Sequence, residues 1–87
     1  MTDDELLSIV KVGLFGSDQG TWRDSMLKVY INEVKEFMRG AGVSEDTLNR
    51  ETSAGCIVIG VNDLWNYTGG GVKFSEYFKQ RVIQLAD

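Results

Sequence analysis

The chain has no histidine and no proline, and Cys56 is its one cysteine. Without histidine, the usual general base at neutral pH and a common zinc ligand are both missing, so neither a metal centre nor a His-activated nucleophile has a natural candidate. A lone cysteine cannot close a disulfide within the chain, and a reducing cytoplasm is the default setting for such a sequence. Without proline nothing in the sequence forces a helix to kink, so chain reversals fall to the ten glycines. No apolar run is long enough to span a bilayer, and the polar, acidic opening from Met1 to Glu5 is not a secretory signal. Positive charge is scarce too. Nine Lys and Arg stand against thirteen Asp and Glu, a formal charge of −4 that disfavours sequence-independent binding to phosphates.

What is present points to one domain over residues 1–87, mostly helical, near the lower size limit for a self-sufficient core. A domain this small buries only about 60–65% of the surface its unfolded chain exposes, so oligomerisation would help it. Thr2 with Glu5 three residues later is the capping-box pattern, and Asp3, Asp4 and Glu5 suit the positive end of a helix dipole better than a hard cation. Leu6, Val10 and Leu14, widened by Leu7 and Ile9, predict the apolar stripe of a first helix that ends near Gly13 or Gly16. After a polar loop from Ser17 to Thr21, the spacing predicts a long second helix. Its first apolar row is Trp22, Met26, Tyr30, Val34, Phe37 and Ala41, with Leu27, Ile31 and Met38 as a second row beside it. Asp24 and Lys28 are an i,i+4 pair worth about 0.3 kcal/mol, and Gly40 and Gly42 supply the stop.

Ser44 opens a short turn or helical turn through Glu45, Asp46 and Thr47. The segment from about Thr52 to Tyr67 is ambiguous. Cys56-Ile57-Val58-Ile59 fits a buried strand, whereas Ala54, Ile57, Val58, Val61, Leu64 and Trp65 fit helical spacing, and length favours the helix. Gly60 would cost such a helix about 1 kcal/mol against alanine unless another helix approaches closely there. A glycine-rich loop from Thr68 to Lys73 then leads to a last helix capped by Ser75, with Phe74, Phe78, Val82 and Leu85 as its stripe and Lys79 and Arg81 toward its C-terminal end. The expected fold is therefore all-α, a small bundle of about four helices with a long second helix and a glycine-rich loop before the last.

Catalytic constellations are weak. Cys56 lies in an apolar run, where burial raises a thiol pKa and makes it inert. Gly69-Gly70-Gly71-Val72-Lys73-Phe74-Ser75 departs from a phosphate loop, because Val72 separates glycine from lysine and Phe74 takes the hydroxyl position. A helix–turn–helix starting at Gly40-Ala41-Gly42 would carry Glu45, Asp46 and Glu51 against Arg50, the wrong charge for a DNA groove. Nine aromatic residues, two of them tryptophan, are generous for so small a core, and some suit an interface.

The order of these features carries a resemblance. A short acidic-capped helix, a long helix and a Gly40/Gly42/Ser44 break come first. Then come a helix ending in Asn62-Asp63-Leu64-Trp65-Asn66-Tyr67, the glycine loop into Lys73-Phe74-Ser75, and a last helix with Gln80-Arg81-Val82-Ile83-Gln84-Leu85. Over nearly its whole length the chain resembles the small head–tail connector proteins (adaptor, head-completion or DNA-packaging proteins) of tailed bacteriophages and prophages. The resemblance implies a non-enzymatic α-helical subunit without cofactors. It implies a homo-oligomeric ring, about twelvefold, docked beneath the portal protein, that extends the DNA channel and serves as the platform for stopper or tail-completion proteins. DNA would pass an acidic lumen without specific binding, and the protein would move from host cytoplasm to the virion head–tail interface. Some relatives carry a C-terminal extension that grips the portal, and this sequence stops two residues after Leu85. On this reading Gly69, Gly70, Gly71 and Lys73 form a loop facing the channel or a partner. Trp22, Trp65, Tyr77, Lys79, Gln80, Arg81 and Gln84 are interface candidates. The other readings are a small helical DNA-binding regulator and a non-catalytic adaptor of another complex.

Overall fold

A computed structural model of the protein describes residues 1–67, 69 and 73–86, and every regular element among them is helical. Helix α1 spans Asp3–Phe15, α2 Asp24–Gly40, α3 Glu45–Leu48, α4 Ala54–Trp65 and α5 Glu76–Ala86, with a 3₁₀ turn at Glu51–Ser53. Four long helices and one single-turn helix are thus the bundle that the periodicity predicts. None of the described helices is long and apolar enough to cross a membrane.

The helix ends follow local chemistry. Glu5 N–H donates to Thr2 Oγ1 at 3.1 Å and Thr2 N–H to Glu5 Oε1 at 2.9 Å, so the capping box is complete. Those bonds to the ionised form hold the Glu5 carboxyl below its ordinary pKa. Gly16 closes α1 with a left-handed φ of 76°, while Gly13 stays inside the helix. Gly42, at φ 100°, ends α2, and Val43 N–H returns to the Met38 carbonyl as its side chain enters the core. Ser44 caps α3 by accepting from Thr47 N–H. Ser75 caps α5 by accepting from Phe78 N–H at 3.2 Å, and Asp63 of α4 accepts from both the Ser75 hydroxyl and its N–H.

Helix α4 is the centre, with α1, α2 and α5 all packed on it. The Cys56–Ile59 segment is helical. Its β-branched character reflects burial on most sides, which also blurs the 3.6-residue period that would have identified it. Gly60 explains how three helices fit around one. A Cβ there would stand 2.7 Å from Phe78 Cε1 of α5 and 2.9 Å from Val34 Cγ1 of α2. On the α1 side Gly13 plays the same part, since its Cβ would meet Val58 Cγ1 of α4 at 2.6 Å.

Helix α2 corrects the expected core. Its buried residues are Leu27, Ile31 and Met38 of the second row and Val34 of the first, so the second row faces inward and the first straddles the edge of the core. Trp22, Met26 and Phe37 of the first row lie at the surface, and Trp22 precedes the first helical residue. The physical reason is a rotation that neighbouring apolar rows leave undetermined. The rows differ by roughly 100° around the axis, and packing on α4 and α5 selects one. An ion pair fixes the same rotation. Lys11 of α1, although charged, is 5% exposed, donates to the Gly20 carbonyl, and places Nζ 2.9 Å from Asp24 Oδ1. Asp24 therefore pairs across helices with Lys11 instead of along its own helix with Lys28. On α1, Ile9 likewise leaves the expected stripe and is surface-exposed.

Where α2 meets α3, Arg39 grips Glu45 with two hydrogen bonds, Nε to Oε2 and Nη2 to Oε1, and Glu36 with a third. The Arg39 guanidinium holds the Glu45 carboxyl below its ordinary value.

Two outcomes follow from these contacts. Gly60→Ala should lower stability in urea unfolding by about 1–3 kcal/mol through overpacking, despite alanine's higher helix propensity. Gly55→Ala in the same helix, where nothing lies within 4 Å of the added methyl, should be neutral or stabilising by up to about 1 kcal/mol. Equal effects at the two sites would contradict the packing at Gly60. Because the folded pKa of Glu45 is depressed, its contribution is complete above its unfolded value of 4.5 and fades as pH falls through the lower folded value. Glu45→Gln should therefore cost a little thermal stability near about pH 7 and almost none near about pH 2. A deficit that persists unchanged in acid would exclude this pairing.

Candidate functional site

Groups able to do chemistry are dispersed. Among the described residues no three His, Cys, Asp or Glu side chains converge as a metal site would require. Cys56 is fully buried in α4, and burial pushes its thiol pKa up, so it is the inert core residue the sequence suggests. A shallow groove of about 290 Å³ between α1 and α2 is lined by Asp3, Asp4, Leu7, Lys28, Ile31 and Lys35. Its opposite charges are spread along the walls, and Lys35 Nζ is 3.8 Å from Asp3 Oδ1.

The concentrated feature is aromatic. Phe15 at the end of α1 meets Trp65 at the end of α4 edge-on, with centroids 5.3 Å apart, and Tyr30 of α2 meets Trp65 at 6.2 Å. Arg23, just before α2, lays its guanidinium 3.6 Å from the Phe15 centroid and 4.4 Å from that of Trp22. Trp22 is 78% exposed, and Met26 and Val29 continue outward along α2 at 50% and 58%. Three residues apart, Met26 and Val29 share one face of α2, and Trp22 lies exposed just before the helix begins. Farther along the helix, Phe37 packs at a tilt against Phe74 and Phe78, centroids 4.8 and 5.6 Å away, helping to anchor α5. Between the two groups Lys73 donates to Glu33 of α2, and that hydrogen bond raises the Lys73 pKa.

The structure brings Trp22 and Trp65 into one neighbourhood, linked through Arg23 and Phe15. On α5, Tyr77, Gln80 and Gln84 are exposed. At about 100° per residue they share a face with half-buried Arg81. Lys79 lies on the opposite flank, 3.6 Å from Glu76. Arg81 Nε is buried without a hydrogen-bond partner among the described residues. Gly69 is exposed with φ 89°, and Lys73 is held to α2. Gly70 and Gly71 lie outside the described residues.

Arg23, Phe15, Met26 and Val29 were not among the sequence candidates. The Arg23–Trp22 adjacency was visible, but the i,i+4 row starting at Trp22 reads equally as core. Only the rotation of α2 reveals which row is open.

The chain matches no family model, no curated protein and no solved structure. Fold and surface together define an all-helical protein whose most distinctive exterior feature is an aromatic corner leading into an apolar row.

Proposed function

We propose that the protein is a non-catalytic docking subunit, and specifically one member of a ring that sits beneath a phage portal, extends the DNA channel and receives stopper or tail-completion proteins. The observation that carries the docking reading is the exposed apolar surface made by Trp22, just before the longest helix, and by Met26 and Val29 on it, beside Phe15, Tyr30 and Trp65. Apolar surface left uncovered by a small domain is surface that association can bury. The head–tail assignment rests on the order of helices, glycine loop and Phe-Ser helix start described above, to which the all-helical fold adds support. The exposed α5 face with Tyr77, Gln80 and Gln84 supplies a second surface, as a ring subunit needs for neighbours on two sides. The regulator reading has less behind it, because α3 is a single turn bearing Glu45 and Asp46, followed by Glu51, and offers a DNA groove little but negative charge.

Purified protein mixed with portal rings from the same genome should co-sediment and appear in negative-stain images as an added layer of fixed stoichiometry. Folded protein that leaves intact portal rings bare would contradict the connector assignment.

A further inference from the structure

We infer that the corner formed by Trp22, Arg23 and Phe15 binds a segment of a partner protein that presents an aliphatic or aromatic side chain beside an aspartate or glutamate. The guanidinium of Arg23 is the charged half of this corner. Two aromatic rings hold it from the sides, at 3.6 and 4.4 Å, and among the described residues no carboxylate lies within ion-pair reach of it. Lys11 is engaged with Asp24 and Lys73 with Glu33, and Lys28 lines the separate α1–α2 groove with Asp3 and Asp4. A guanidinium held against an aromatic face uses none of its N–H donors in that contact, and its N–H fork matches a carboxylate in two parallel hydrogen bonds.

The surroundings supply the apolar half of the recognition. Trp22, Met26 and Val29 are half or more exposed, Trp22 beside Arg23 at the helix entry and Met26 and Val29 on one face of α2 beyond it. A partner side chain laid on them would exclude water from the neighbouring charge pair and strengthen it. Tryptophan and arginine are also the residue types that carry most interface energy. Net charge adds selectivity. The chain stands at −4, so an acidic partner is repelled by most of the surface and attracted at this corner, which orients the encounter. A nucleic acid fits less well, because phosphate chains need several open cations along a track and this surface offers one.

The inference deepens the docking reading and rests on it, but it can be tested without a portal, so the two can fail separately. A displayed library of random peptides, selected on the intact protein, should yield peptides in which an acid neighbours a large apolar residue. In a Trp65→Phe background Trp22 is the only indole, and its emission should shift as a synthetic copy of a selected peptide binds. The twin peptide with Gln for Glu, or Asn for Asp, should bind about tenfold more weakly. Arg23→Gln, shown folded by circular dichroism, should erase that difference between twins, and Arg23→Lys should restore only part of it. Trp22→Ala should weaken both peptides. Selected peptides that lack acids, an empty selection, twins that bind alike, or an Arg23→Gln protein that still discriminates them would each overturn the inference. Tighter binding of a thymidine oligonucleotide than of any peptide would overturn it in favour of single-stranded nucleic acid.

Discussion

At Gly60 a methyl group is too much. The ring of Phe78 and the side chain of Val34 occupy the space where a Cβ would stand, so α5 and α2 close on the backbone of α4 itself. Everything else in the bundle depends on that contact. Because α4 accepts neighbours at such short range, one twelve-residue helix can serve as the core of the whole domain, with α1 added through the matching approach of Gly13 to Val58. A helix in that position has little solvent-facing surface, so its sequence is apolar nearly all round. That is why a stretch as strand-like as Cys56 to Ile59 is stable as helix.

The same contact determines what is left outside. Once Val34 is committed to Gly60, the rotation of α2 is fixed, and Leu27, Ile31 and Met38 follow it inward. The face away from α4 is then left outward, with Met26 and Val29, and Trp22 before the helix, in water. Leaving side chains of this size exposed forgoes roughly 1.5–3 kcal/mol each of burial that a larger domain could have captured. The Lys11–Asp24 pair holds α2 in this rotation from the α1 side, and Arg23, one residue before Asp24, lies over Phe15, one turn along α1 from Lys11. The open surface is thus a consequence of core packing, and its chemistry is a row of apolar side chains ended by one stacked cation.

Local features of the fold were legible in the sequence because their causes are local. Thr2 with Glu5 and the Ser75 cap each depend on a few adjacent residues and are found where the sequence places them, while of the paired stops it offered, Gly13 or Gly16 and Gly40 or Gly42, the second of each pair takes the left-handed turn. Gly60 was legible as a cost that a close approach would explain. Lys11 was not, since nothing along the chain marks a lysine for burial; its partners, the Gly20 carbonyl and Asp24, lie nine and thirteen residues on and meet it only in the folded bundle. The choice between the two rows of α2 was hidden for a related reason. Both satisfy helical spacing, and the deciding contact is with Gly60, twenty-six residues beyond Val34. The candidate site inherits that blindness: Trp22 and Trp65 could be named as anchors, while Arg23 and Phe15, which join them, could not.

The α2–α4 contact turns Leu27, Ile31 and Met38 inward and leaves Met26 and Val29 in water. Hydroxyl-radical footprinting of the free monomer, read by mass spectrometry, tests it most directly, because α2 carries a methionine on each row. Met26, half exposed, and Trp22 should be oxidised rapidly, whereas Met38, which is 0% exposed, should be protected to the same degree as Phe78. Protection of Met26 together with fast oxidation of Met38 would mean that α2 is rotated the other way, and the docking surface described above would not exist.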